Sequence, residues 1–172
     1  DEDIFLPKGI FETLKETSRK VQREGRYEIG FVTPLIPVNG YGHVRLLEIF
    51  GAVDLWEEQF GTLKYTNNTH HKNICENPKS ARFLWGEGNP EFADLDRMQR
   101  VLGRREFQYS VCPIRYSIGF ILFRRSNWIH MGGFPTLMGN MGVDEEAFCQ
   151  YCMIESRAMI VSENAVAGHL GY

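Results

Sequence analysis

Residues 117–123, Ser-Ile-Gly-Phe-Ile-Leu-Phe, are apolar at nearly every position. A strand with one face in water alternates apolar and polar residues, and this run leaves no face for water. It predicts a strand over 116–124, central in a sheet that is covered on both sides. A second buried strand is predicted over 27–33 (Tyr-Glu-Ile-Gly-Phe-Val-Thr), and others over 106–112 and 158–162. Helical patterns separate them. The first, 7–24, has Pro7 in its first turn, Ile10, Leu14 and Val21 on one stripe, and Gly25 as its stop. Others are 43–50, 89–102, 126–131 behind Ser126 as a cap, and 144–157, whose acidic first turn suits the helix dipole. Helices alternating with buried strands predict an α/β fold with a mixed, mainly parallel sheet flanked by helices.

Two stretches break this rhythm. Pro34 and Pro37, followed by Asn39-Gly40-Tyr41-Gly42, predict an extended loop. Residues 51–90 show no clear period and gather Trp56, Tyr65, His70, His71 and Trp85. A long irregular segment inside a compact domain points to a functional loop. Trp56 and Trp85 are either flat faces for a ligand or packing residues. His70 and His71 with Cys75 offer three metal donors and no fourth. Asn67-Asn68-Thr69 fits a glycosylation sequon, read as a chance match.

Composition narrows the function classes. At 172 residues, 43% of them hydrophobic, the chain is long and apolar enough for one domain with a real core. A formal net charge of −3 gives no electrostatic case for binding nucleic acid or an anionic membrane. No apolar run approaches the ~20 residues of a membrane span, and no signal peptide opens the sequence. Cys75, Cys112, Cys149 and Cys152 are sparse and irregularly spaced, which argues against a secreted disulfide framework. Cys149 and Cys152 form one C-x-x-C without a second pair and read as buried free thiols. The expectation is a cytoplasmic chain.

The opening Asp1-Glu2-Asp3-Ile4 carries chemistry. Read as the tail of a strand, it puts the Asp1 and Asp3 side chains on one face. Two carboxylates so placed repel each other unless a cation lies between them. Hard divalent ions are held in this way, by one or two carboxylates plus the phosphate oxygens of a substrate.

The stretches GFILFRRSNWIHMGGF, GVDEEAF and VAGHLGY, in that order between Gly119 and the C-terminus, resemble the second half of nucleotide-sugar glycosyltransferases of the GT-A fold, family 2-like. The opening DEDIFLPKGIF is similar to the D-x-D strand and helix that lead into that half. The resemblance covers most of the chain and rests on the ordered set of motifs. It departs from the family at Val143, where a Glu-Asp pair is often found and Val143 here precedes Asp144-Glu145-Glu146. It also starts at the D-x-D, so the nucleotide-binding half has no counterpart, and 1–172 is expected to be one catalytic domain incomplete at its N-terminus.

The resemblance implies transfer of a sugar from a nucleotide-sugar donor, UDP-linked by family habit, to a hydroxyl acceptor. It implies metal ligands at Asp1, Asp3 and His169, with the imidazole tilting the choice toward Mn²⁺ over Mg²⁺. It implies Asp144 as general base, with Glu145 as its alternative. Gly132 and Gly133 are expected to admit the donor close to the backbone, or simply to make a turn. Trp128 and Phe134 are expected in the core. The rival readings are a sugar-binding or scaffolding relative without turnover, and a metal-dependent phosphohydrolase.

Overall fold

The structure is a computed structural model describing residues 3–65, 77–112, 116, 119–135 and 143–170. Six strands occur among them: β1 (Ile4–Phe5), β2 (Ile29–Leu35), β3 (Tyr109–Cys112), β4 (Leu122–Phe123), β5 (Ala158–Val166) and β6 (Gly168–His169). The helices are α1 (Ile10–Glu24), α2 (Gly42–Ile49), α3 (Val53–Phe60), α4 (Pro78–Phe83), α5 (Leu95–Gly103), α6 (Arg125–Met131) and α7 (Val143–Ile154), with one 3₁₀ turn at Pro90–Phe92. The fold is therefore α/β around a mixed sheet. The expectation of a mainly parallel sheet is corrected: the order is β3-β5-β2-β4, in which β2 and β5 are parallel while β3 and β4 pair antiparallel.

The sheet is apolar on both faces because each is covered. On one face Val32 and Ile160 meet the α1 stripe of Ile10, Leu14 and Val21, with the Gly25 cap in the left-handed region at φ 67°. On the other, Phe31, Met159 and Val161 join Leu46 and Leu47 of α2 and Phe148, Cys149 and Cys152 of α7. Each fully buried side chain of this size stabilises by roughly 1.5–3 kcal/mol, so the two layers hold the sheet from both sides.

The central strands are β2 and β5, not the run at 117–123. Of that run, Leu122 and Phe123 form the edge strand β4 and residues 117–118 lie outside the described residues. An edge strand is apolar on both faces here because both are covered. Phe120 packs edge-on against Phe11 of α1 at 5.4 Å, and Phe123 packs on Phe148 of α7 at 5.0 Å.

Pro34 does not open a loop but sits inside β2, opposite Ser162. Its missing N–H is harmless because β4 pairs only with Phe31 and Val32, so this side of β2 is free of a ladder at residue 34. The buried Tyr116 hydroxyl donates to the Pro34 carbonyl there, at 3.3 Å.

The irregular stretch 51–90 holds α3 and α4, and residues 66–76, with His70, His71, Cys75 and the sequon, lie outside the described residues. Trp56 is core, 3% exposed and packed on Phe60, Phe83 and His43. Trp128 and Phe134 are half-buried against each other at 4.6 Å, beside Phe123 and Phe148. Cys149 and Cys152 are buried thiols, as their spacing implies. Among the described residues no helix is long and apolar enough to cross a membrane.

Candidate functional site

The two ends of the chain meet in the β1–β6 ladder. Ile4 stands opposite His169 and Phe5 opposite Gly168, and the Leu170 N–H donates to the Asp3 carbonyl at 3.3 Å. This register brings His169 Nε2 to 3.8 Å from Asp3 Oδ1. The imidazole is nearly buried, its side chain 10% exposed, whereas Asp3 is 41% exposed. Asp1 lies outside the described residues.

The ladder lies where ligands are bound in open α/β sheets, beyond the carboxyl ends of parallel strands. β2 and β5 start together at Ile29 and Ala158 and finish together at Leu35 and Val166, and β6 follows directly. Trp85 closes one side. Its ring meets Phe5 edge-on at 5.4 Å and covers Gly168 so closely that a Cβ there would come within 2.6 Å of it. Phe5, Leu6 and Leu170 are each about half exposed beside it.

Two ligands of one small divalent ion, each about 2.1 Å away, are at most about 4.2 Å apart. The Asp3–His169 separation of 3.8 Å is inside that limit. At that spacing the angle at an ion exceeds the octahedral right angle, and Asp3 is the partner with room to close it. Among the described residues no group of three or more His, Cys, Asp or Glu side chains is arranged around a common point. Asp3 and His169 thus offer two donor groups within the span of one ion.

Asp144 and Glu145 open α7. The connection from α7 to β5 is only 155–157, so the helix runs back antiparallel to β5. Its first turn therefore lies toward the end of the sheet where His169 lies. Glu145 belongs to the buried stripe with Phe148, Cys149 and Cys152, at 7% exposure, and Asp144 is half-exposed. The Gly132 and Gly133 amides are engaged in closing α6: Gly132 N–H donates to Ile129 O at 3.2 Å and Gly133 N–H to Trp128 O at 3.1 Å. Both glycines have φ near +83°, which the turn requires.

A buried polar cluster on β5 was not anticipated from the sequence. Glu163, 5% exposed, accepts from Arg45 Nη2 at 2.6 Å, Ser110 Oγ at 2.6 Å and the Tyr41 hydroxyl at 2.9 Å. Burial alone raises a carboxyl pKa, but these donors outweigh it and hold Glu163 below its ordinary value. Burial, with the Glu163 charge alongside, pushes the Tyr41 hydroxyl up to about 12. Arg45 also bonds Glu48, which accepts from Tyr65 at 3.1 Å. The cluster ties α2 and the turn before it to β3 and β5, behind the strand that delivers His169.

No protein-family model, no curated protein and no solved structure matches this chain.

Proposed function

We propose that the chain is the catalytic part of a metal-dependent glycosyltransferase that moves a sugar from a nucleotide-sugar donor, UDP-linked, to a hydroxyl acceptor. The observation that carries this reading is the pairing of Asp3 with His169 beyond the carboxyl ends of β2 and β5. Asp3 and His169, with Asp1, would hold Mn²⁺ or Mg²⁺. A divalent ion held there would supply Lewis-acid stabilisation to the charge of a leaving diphosphate. Asp144 takes the proton of the acceptor hydroxyl, and Glu145, one residue further into the helix, is its alternative. The exposed ring of Phe5, beside Trp85, offers the face on which a sugar stacks.

Calorimetry of UDP binding tests the reading. Affinity is expected to be higher with Mn²⁺ than with chelator, and Asp3→Ala is expected to abolish the difference. Equal affinity with and without metal would sink it. The aromatic platform favours a second reading, a sugar-binding relative without turnover, because stacking needs no metal. Saturable binding of a free sugar in chelator, with no transfer in Mn²⁺, would select it.

A further inference from the structure

At the other end of the sheet, where β2 and β5 begin, lies a cavity of about 380 Å³ lined in part by Gln22, Arg26, Tyr27, Glu28, Arg124 and Arg157. It is separated from Asp3 and His169 by the length of the strands, ~3.3 Å for each residue. The arginines come from three places in the chain: the turn after α1, the residue before α6, and the turn between α7 and β5. Three guanidinium groups face one carboxylate, and that carboxylate neutralises little. Glu28 is 80% exposed and 3.9 Å from Arg157 Nη1, beyond hydrogen-bond range. Among the described residues neither Arg26 nor Arg124 is in an ion pair.

Arg157 is the anchor. Its side chain is only 24% exposed, its Nε is buried with no hydrogen-bond partner among the described residues, and its guanidinium lies 5.9 Å from the centre of the Tyr151 ring. Holding a guanidinium this deep costs solvation that a distant, exposed carboxylate does not restore. The carboxyl end of α1 abuts the cavity, but its partial charge of about half a unit accounts for one arginine and not for three. A planar fork fixed by burial, with two exposed guanidinium groups beside it, matches the oxygens of a phosphate.

We propose that this cavity is a binding site for a phosphate monoester, with Arg157 as the fixed contact and Arg26 and Arg124 closing over the anion. The volume exceeds that of the phosphate alone and admits a small group attached to it. The site is independent of the proposed transferase chemistry.

The probe is inorganic phosphate, titrated in chelator at constant ionic strength and followed by calorimetry and by the amide resonances of residues 26–28 and 157. Saturable binding is expected, weakened at least tenfold in the Arg26→Gln/Arg124→Gln double variant, whose exposed positions leave the core intact. Arg157→Lys keeps the charge but loses the fork, and is expected to weaken binding comparably. Vesicles of phosphatidylcholine with and without phosphatidic acid separate the sources of the phosphate. Retention only on phosphatidic acid, lost in the double variant, assigns a lipid headgroup. Phosphate binding without vesicle retention assigns a soluble monoester. No saturable phosphate binding, or equal affinity in wild type and double variant, overturns the proposal.

Discussion

Asp144 is half-exposed in the first turn of α7, while Glu145 beside it belongs to the buried stripe of the helix. An acceptor hydroxyl can approach the first more readily than the second, which ranks them as the proposed base and its alternative. Asp144→Asn keeps the shape and the hydrogen-bond acceptors but removes the charge. As a helix-terminal charge alone, Asp144 contributes about 1 kcal/mol or less, and its loss would leave turnover largely unchanged. As the general base, its loss is expected to lower turnover by roughly 10² to 10⁴ with donor affinity unchanged. Steady-state kinetics of the variant, with UDP affinity measured in parallel, decides; turnover above about a tenth of wild type removes Asp144 from the role. At this scale little of the site was legible in the residues alone: His169, in a Gly-rich tail, stood out only through the resemblance, Asp3 lies beside it in the β1–β6 ladder, and Asp1 lies outside the described residues. Glu163 was not legible. A single Glu in Ser-Glu-Asn looks like a solvated turn, and its three donors come from residues 41, 45 and 110, far away in the chain.

Strands were misread at this next scale for the same physical reason. β5 continues through Ser162, Glu163 and Asn164 although all three are polar, because each is satisfied by another element. Ser162 Oγ is hydrogen-bonded to Thr17 Oγ1 of α1 at 2.8 Å. Asn164 Nδ2 donates to the carbonyls of Leu102, Arg105 and Glu106, and its Oδ1 accepts from the Gln108 N–H. Hydrophobic periodicity records burial, not pairing, so it ended β5 early and promoted the edge strand β4 to the centre. Helix α1 was read closely, since it and its glycine stop carry a local signal that needs no distant partner, whereas α3 and α4 lie in the stretch read as irregular. The β1–β6 ladder is only two residues long, and its geometry depends on close packing of Trp85 over Gly168. A Cβ at residue 168 would also come within 3.3 Å of the Phe5 Cβ. Gly168→Ala is therefore expected to push Trp85 out of its seat and open the ladder, separating Asp3 from His169. The measurement is twofold: a red-shifted Trp emission and the loss of any metal-dependent gain in UDP affinity. An unshifted spectrum with full metal dependence would mean that the Trp85 ring moves aside without consequence.

For the molecule as a whole, buried titratable groups on and around the central strands bound the pH range in which the fold is stable. On the acid side, Glu163 is more acidic folded than unfolded, because Arg45, Ser110 and Tyr41 bind its charged form more strongly than burial penalises it. Its contribution is complete above the ordinary value of 4.5 and is lost as the pH falls below it through the folded pKa. On the alkaline side the sign reverses. Burial, with Cys149 alongside, pushes Cys152 from its ordinary 9.0 up to about 12, and Tyr41 rises from 10.0 to about 12. Burial raises Tyr116 well above 10.0 as well. Unfolding exposes these groups to their ordinary ionisation, so their contribution is complete below pH 9 for Cys152 and below pH 10 for the tyrosines, and is lost as the pH rises toward 12. Each proton released on unfolding adds a slope of about 1.4 kcal/mol per pH unit. Denaturant unfolding measured at half-unit steps is expected to show a plateau bounded by these two losses. Glu163→Gln lowers the plateau and flattens the acid limb, since no charged form remains to be protonated. Cys152→Ala is the sharper test. It lowers the plateau through a small cavity, but between pH 9 and 10, where Cys152 ionises in the unfolded chain before the tyrosines do, it is expected to remove one proton's share of the slope. A Cys152→Ala curve that stays parallel to wild type across that interval would show that the thiol ionises as easily folded as unfolded, and that burial against Gly30 does not hold it neutral against the pull of the Arg157 charge.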